Sequence, residues 1–299
     1  MELLHIKGDC FYFKGAVNIG YVRDEENGLL IDAGLDQQSM KKVLKLLKEK
    51  QLPVTHLFIT HAHTDHFGGA GYLQSQKHVH TIAPPIEEAI LRNPILEPLY
   101  LFQGNKPISE LRNKFLEGET MRVDEEAGAL IQFGSHSCKT FTFPGHSINQ
   151  MGVLVSDILY CGDAYFGREQ LAKHRIPFII SAEDTLASLT YLKQIECYGA
   201  VPGHGNFQCS FIETVEENER CHQEILSWVE QLFAKRGTLS FEDYLVQLLE
   251  EWQVDCKHLS SWLLYRTAAM AYITLLVHTG SLVIVIEANR LLIKAVSEQ

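Results

Sequence analysis

The sequence is short of the residues that would support several familiar classes of protein. Its 299 residues include only seven cysteines, Cys10, Cys138, Cys161, Cys197, Cys209, Cys221 and Cys256, and no CxxC pair. An odd set without that spacing excludes a fully paired disulfide framework and a four-cysteine zinc site, and it fits a reducing compartment. Basic residues are also scarce, with 26 Lys and Arg against 37 Asp and Glu and a formal net charge of −11. Phosphate backbones and anionic lipids repel a surface of that sign unless a basic patch is local. The opening residues, MELLHIK, lack a basic stretch followed by an apolar run, so no signal peptide is expected and the cytoplasm is the expected location.

Long apolar runs are nearly absent too. From Thr267 to Ile286 twenty positions carry no formal charge, enough to span a bilayer. His278-Thr279-Gly280-Ser281 interrupts that run, with Ala-, Met- and Leu-rich sequence before it and β-branched residues after it. A helix, a turn and a strand are the expected result, and no membrane contact. What is abundant is ordinary core material, 46% hydrophobic against 21% charged, which is globular composition. Histidine is plentiful as well, at fourteen residues.

Short strands punctuated by glycine are expected over the first 35 residues, and Gly28 to Gly34 reads as a buried strand ending in a turn. Met40, Val43, Leu44 and Leu47 fall at helical spacing. A strand is expected over Val54–Thr60, and helical, proline-divided sequence over 85–117. Strands are expected again at 120–123, 129–133, 138–143, 150–155 and 158–161, then a helix near 184–196 and a strand at 199–201. Strands, helix, strand, repeated once, predicts two similar α/β halves packed sheet against sheet. Beyond about residue 212, two amphipathic stripes, Cys221–Phe233 and Phe241–Trp252, precede a third helix over 258–278 and two strands at 282–287 and 290–296. Three helices and a hairpin is the order of a winged helix-turn-helix; an extra helical layer on the main domain is the alternative.

The chemistry concentrates in Thr60-His61-Ala62-His63-Thr64-Asp65-His66-Phe67-Gly68-Gly69, where four metal-ligating side chains lie within six residues. Imidazole nitrogen and carboxylate oxygen suit Zn²⁺, and Fe or Mn as well. His61 and His63, two apart on extended backbone, can face the same way. Downstream, Pro144-Gly145-His146-Ser147, Cys161-Gly162-Asp163-Ala164 and Pro202-Gly203-His204-Gly205 each follow a strand and each carry one His or Asp beside a glycine. Together they make five histidines and two aspartates on strand-end loops, a full set for two metal ions. Cys161 reads as a core thiol, and His78 and His80 as ordinary histidines rather than ligands.

The ordered pattern HxHxDH, His, Asp, His resembles the metallo-β-lactamase-fold hydrolases of the glyoxalase II-like dinuclear kind, over roughly residues 10–210. The resemblance implies an αββα sandwich with the site at the edge between the sheets. It implies that His61, His63 and His146 hold one metal, that Asp65, His66 and His204 hold the second, and that Asp163 bridges them. It implies two divalent ions, Zn first, whose bridging hydroxide attacks an electrophilic carbonyl or phosphorus. Asp65 would orient that hydroxide and relay a proton, and Tyr165 is a candidate for holding the substrate oxygen. The oxygen-reducing diiron branch carries Glu where this chain has His63, which disfavours that branch. No other cofactor is expected.

The expected organisation is therefore a catalytic domain over 1–212, with a helical insert at 85–118 over the site, and a winged-helix-like domain over 213–299. Leu99-Tyr100-Leu101-Phe102 could give the insert an apolar lining, and Arg168 and His174 could meet an anionic group. An ester, thioester or lactone small molecule is the first expected substrate. A winged-helix-tailed branch of the same family that includes an endoribonuclease makes RNA or another phosphodiester the alternative. From Val215 onward, seven Lys and Arg against twelve Asp and Glu speak against nucleic acid as a partner. A non-catalytic regulator with a DNA-binding tail is the alternative of another class, and a homodimer is an open expectation.

Overall fold

The computed structural model of the protein describes residues 1–296. The first half runs through β1 (Glu2–Lys7), β2 (Cys10–Lys14), β3 (Ile19–Asp24), β4 (Asn27–Ile31), α1 (Gln37–Glu49), β5 (His56–Phe58), α2 (Thr64–Phe67), α3 (Ala70–Gln76) and β6 (His80–Ala83). The insert contributes α4 (Glu87–Arg92) and α5 (Leu96–Leu101), followed by β7 (Glu125–Glu126). The second half has β8 (Leu130–Phe133), β9 (His136–Thr142), β10 (Met151–Val155), β11 (Ile158–Tyr160), α6 (Arg168–His174), α7 (Ala182–Leu192) and β12 (Gly199–Val201). The tail is α8 (Ile212–Arg236), β13 (Thr238–Ser240), α9 (Phe241–Glu251), α10 (Leu259–His278), β14 (Leu282–Glu287) and β15 (Arg290–Ala295).

The period of two along each strand divides side chains between two faces. Leu29 and Ile31 of β4 point into one core while Leu30 joins another; Val22 and Tyr21 of β3 divide in the same way. The seven-stranded sheet runs in the order β1 to β7, and the five-stranded sheet in the order β12-β11-β10-β9-β8. Cys10, Val22, Leu29, Ile31 and Phe58 of the first meet Phe133, Val153, Ile158, Tyr160 and Val201 of the second in a buried interlayer. On the outer face of the first sheet, α1 buries Met40, Val43 and Leu47, the stripe its sequence marks. On the outer face of the second, α7 buries Leu189 and Leu192. The result is the αββα sandwich expected from the sequence.

One expectation needs correction. Residues 120–123 form no strand, although Met121 and Val123 alternate inward into the core. Their backbone is paired otherwise: Met121 N–H donates to the Leu91 carbonyl, and Arg122 N–H donates to the Gln74 side chain. The sheet resumes at β7, and His78 likewise lies outside any strand, with only His80 in β6.

The tail packs onto the sandwich. Ile225, Val229 and Phe233 of α8 and Tyr244 and Leu248 of α9 share one buried cluster with Ile176, Ile179 and Ala182. On another side α10 meets the insert, where Leu263 is buried with Leu101, Leu111 and Leu116. The three helices and the hairpin stand where expected, and Ala288 and Asn289 make the turn with φ of 48° and 61°, as a two-residue hairpin requires. β13 adds a third strand, giving the order β13-β15-β14. The expected tail runs to residue 299, and its last three positions lie outside the described residues. Among the described residues no helix is long and apolar enough to cross a membrane.

One histidine gives this tail a pH dependence. His222 of α8 is buried, its Nδ1 2.9 Å from the Tyr272 hydroxyl of α10, and burial lowers it from 6.5 to about 4. The unfolded chain therefore takes up this proton first as pH falls. The contribution is intact above about 6.5 and is lost progressively toward about 4, by about 3 kcal/mol. The stability gap between the native chain and His222→Gln, read by denaturant titration, is expected to narrow by that amount between pH 7 and pH 4.

Candidate metal centre

Each element of the site ends where a ligating side chain is needed. The parallel strands β4 and β5 deliver Asp32 and the segment His61–His66 to the same edge of the sandwich, and α2 turns the chain away at once. That turn demands close packing: a Cβ at Gly68 would fall 2.0 Å from the Leu35 carbonyl oxygen. From the second sheet, the loop after β9 brings His146, the turn after β11 brings Asp163 and the loop after β12 brings His204. All seven residues singled out in the sequence meet here. His61, His63 and His146 form one group whose ligand atoms lie within 4.8 Å of one another; His61, His66 and Asp163 form a second, and Asp65, His66 and His204 a third.

The histidines are held by their far nitrogens. His66 Nδ1 lies 2.8 Å from Asp32 Oδ2, His61 Nδ1 2.9 Å from Thr60 Oγ1, His146 Nδ1 3.0 Å from the Phe178 carbonyl and His204 Nδ1 2.9 Å from the Ala16 carbonyl. Anchored in this way, each ring turns its Nε2 toward the cluster. His63 instead presents Nδ1, which lies 2.8 Å from His146 Nε2. Asp163 Oδ2 lies 3.4 Å from both His146 Nε2 and His204 Nε2, and Asp163 Oδ1 lies 3.3 Å from His66 Nε2. Asp65 Oδ2 is 3.3 Å from His204 Nε2.

Electrostatics and hydrogen bonding both fit a cationic group. His61 Nε2, His66 Nε2 and Asp163 Oδ1 are buried without a hydrogen-bond partner, an expensive state for polar atoms unless something else satisfies them. Burial pushes His63 and His146 down to about 4, so both are neutral donors near pH 7. Burial raises the Asp65 carboxyl, but the facing His66 and His204 outweigh it and hold it at about 2. Burial lowers His204, and Asp163 and Asp65 overcome that and carry it to about 10. Two carboxylates, the buried Asp163 and the half-buried Asp65, that favour protons on neighbouring imidazoles are a demand for positive charge at this spot.

The loop around His204 leaves no room for a side chain. A Cβ at Gly203 would lie 2.1 Å from Asp163 Oδ1 and 2.6 Å from the His66 ring. Gly203→Ala must displace Asp163 or His66, and it is expected to remove most of one bound ion per chain while leaving the circular dichroism of the fold intact. Elemental analysis of the variant beside the parent measures this.

Several supporting residues were not singled out in the sequence. Asp32 is the anchor of His66 and Thr60. Glu87 is buried in the insert and accepts from Ala62 N–H, Asn149 N–H and the Ser147 hydroxyl, tying the His61–His66 loop to the His146 loop. Gln150 accepts the Asp163 N–H. Glu97 of α5 is buried with Oε2 unpartnered, and burial first, then Asp65 and Glu87, pushes its carboxyl well above the usual range. Asp32 could have been found, since it closes the buried strand before Ala33-Gly34; Glu87 and Glu97 carry no local signal in a helical stretch.

Tyr165 departs from expectation. Its ring packs against Phe211 in the core beside Cys161 and Leu189, and its hydroxyl is buried without a partner. It lines a narrow crevice behind His146 and Asp163, not the open cavity. A bulky ring placed two residues after Asp163 is drawn into the apolar layer under α7, and Phe166 faces the cavity instead. That cavity, of about 580 Å³, is lined by His63, Asp65, Asp163 and His204 and by Leu35, Phe115, Leu116, Phe178 and Leu264. Lys173 and His174 of α6 line it as well, whereas Arg168 is engaged by Glu213 and Glu217 of α8. Cys161 is a buried thiol, as read from the sequence.

The profile of the Metallo-beta-lactamase superfamily matches residues 12–204. A hydroxyacylglutathione hydrolase of Shewanella loihica is 30% identical over 148 residues, which are 49% of this chain and 45% of that protein. An atrochrysone carboxyl ACP thioesterase of Aspergillus fumigatus is 22% identical over 218 residues, 71% of this chain and 59% of that one. The chain thus spans less than two thirds of the length of these relatives. Among solved structures, a beta-lactamase domain protein from Burkholderia ambifaria superposes with a TM-score of 0.75 at 16% identity, over 99% of this chain and 94% of the other. A metallo-beta-lactamase family protein from Thermus thermophilus gives 0.70 at 16% identity, over 93% of each chain. These likenesses are of fold, and they extend across the helical tail.

Proposed function

The chain belongs to the metallo-beta-lactamase superfamily, and we propose that it is a metal-dependent hydrolase whose cluster holds two divalent ions and cleaves a small-molecule ester, thioester or lactone. In this reading His61, His63 and His146 hold one ion, Asp65, His66 and His204 the other, and Asp163 serves both. The observation that carries it is a set of three buried ligand atoms that make no hydrogen bond, His61 Nε2 and the pair His66 Nε2 and Asp163 Oδ1 3.3 Å apart, at the meeting point of rings whose opposite nitrogens are fixed. When bound, such ions supply Lewis acidity that activates water near neutral pH and polarises a substrate oxygen.

The chain's own residues do the rest. Asp65 is the carboxylate of the set that borders the open cavity with about a third of its side chain exposed. It is ionised near pH 7 and is placed to take a proton from an attacking water. Leu35, Phe115, Leu116 and Phe178 give that side of the cavity an apolar wall. Lys173, with His174, supplies the polar end of the cavity where an anionic part of a substrate would rest. Such a cavity favours a compact amphiphile over a polymer backbone, which together with the acidic tail places nucleic acid second. The tail, with its boundary at 212/213 and its winged-helix-like order, is read as a packing module that closes the cavity through Leu264.

The test is turnover of a panel of esters, thioesters, lactones, a phosphodiester and RNA by the full chain supplied in turn with Zn²⁺, Mn²⁺ and Fe²⁺. Hydrolysis of a carbonyl substrate that a chelator abolishes and metal restores is expected. Cleavage confined to RNA or the phosphodiester would overturn the substrate class. No turnover of any member, with metal bound, would favour a non-catalytic regulator.

A further inference from the structure

A second cavity of about 350 Å³ lies against the same metal cluster and shares His63 with the first. Its walls come from five separate parts of the chain: Ala62 and His63 after β5, Ile90 and Tyr100 of the insert, Ser147 and Ile148 of the His146 loop, Ile180 before α7, and Thr267 from α10 of the tail. Three of its polar side chains, Glu87, Ser147 and Thr267, are already engaged. Glu87 accepts from Ser147, Ala62 and Asn149, and the Thr267 hydroxyl donates to the Leu263 carbonyl. What remains for a ligand is aliphatic and aromatic surface from Ile90, Ile148, Ile180 and Tyr100. The mouth is apolar as well, because Ile148 and Tyr100 are 50% and 42% exposed. Large apolar side chains left open to water at the rim of an apolar cavity mark a ligand site.

We propose that this cavity is an acyl-chain site: it takes the unbranched aliphatic acyl portion of the substrate, while the first cavity takes the leaving group. The inference rests on the hydrolase reading above and deepens it. Its argument is placement. The second cavity is lined mainly by apolar side chains, the first carries Lys173 and His174, and His63 lines both. A substrate with its carbonyl at the cluster has two halves to place, and only the first cavity offers a cationic side chain, Lys173. The insert and the tail each contribute a wall, so both belong to the substrate site, and the chain's helical additions set the length of acyl group accepted.

Two measurements on the full-length protein test this. In the first, kcat/KM is followed along a series of acyl thioesters from acetyl to decanoyl. Each methylene moved from water into an apolar site is worth about 0.8 kcal/mol, so an increase of about fourfold per methylene is expected until the cavity is full. Ile180→Trp, which fills the cavity, should lower the octanoyl-to-acetyl ratio by about tenfold or more, whereas Val246→Ala, on an exposed face of α9, should leave the ratio unchanged. In the second, octanamide is titrated into the metal-free protein by calorimetry, a readout that needs no turnover. Saturable binding at one site per chain is expected, and Ile180→Trp should abolish it. A flat chain-length series together with absent octanamide binding would overturn the acyl site while leaving the hydrolase reading standing. Octanamide binding in a protein that hydrolyses nothing would retain the apolar site and sink the hydrolase reading on which its substrate assignment rests.

Discussion

Replacing Asp65 with asparagine is expected to lower kcat/KM by a factor of about 10² or more, the low end of what a positioned general base contributes. The amide accepts no proton and is a poor ligand, so the group containing His66 and His204 loses a donor. The group formed by His61, His63 and His146 keeps all three imidazoles, with His61 and His146 still anchored by Thr60 and the Phe178 carbonyl. The variant should therefore retain one ion tightly, lose much of the second and remain folded. A split between turnover and retention of the first ion, measured by steady-state kinetics and elemental analysis on one preparation, is the signature. Parental turnover in Asp65→Asn would remove this residue from the chemistry.

The second large effect is expected at a residue that touches no proposed ion. Asp32 is buried and accepts from the Thr60 N–H at 2.7 Å and the Thr60 hydroxyl at 2.9 Å, and pairs with His66 Nδ1 at 2.8 Å. Asp32→Ala leaves all three groups without their partner inside the protein, and removing one side of a buried ion pair costs about 3–5 kcal/mol. It also places Ala at a left-handed backbone, since Asp32 has φ of 67°, where a β-carbon is disfavoured. Asp32→Asn separates the two roles. Asparagine tolerates the left-handed region and can still accept from Thr60, so the fold should be nearly as stable as the parent. It cannot supply the charge that fixes the His66 tautomer, so metal affinity should fall by about 10–100-fold. Denaturant titration and competition with a chelating dye distinguish the variants. Equal metal affinity in parent and Asp32→Asn would contradict the assigned role.

Much of this architecture was legible in the sequence because local rules and tertiary demands agree. The α1 stripe, the hairpin turn at Ala288-Asn289 and the glycine-flanked ligand loops each carry their signal within a few residues. The ligating histidines were legible as a group because residue type, spacing and strand-end position coincide at His61–His66. Where reading failed, a long-range contact decided. Met121 and Val123 alternate as a strand would, but Gln74 and Leu91 capture the neighbouring backbone, and no sequence pattern announces that pairing. Tyr165 looked like a substrate contact because it follows Asp163; its position depends on how α7 and Phe211 close the layer above it. Glu87 and Glu97 resemble the solvated charges of any short helix, and only the folding of the insert over the site buries them. The tail stripes on α8 and α9 were visible, but their partner, the Ile176–Ala182 segment, was not.

The central claim is that these seven side chains form one site for two ions. It is tested most directly by stoichiometry: metal-free full-length protein is titrated with Zn²⁺, excess is removed, and bound metal is counted per chain by elemental analysis, for the parent and for His146→Ala and His204→Ala. Two ions per chain are expected in the parent and about one in each variant, because each substitution takes a ligand from only one group. A parent that retains no ion after exposure to Zn²⁺, Mn²⁺ and Fe²⁺, or variants that bind as the parent does, would contradict the claim.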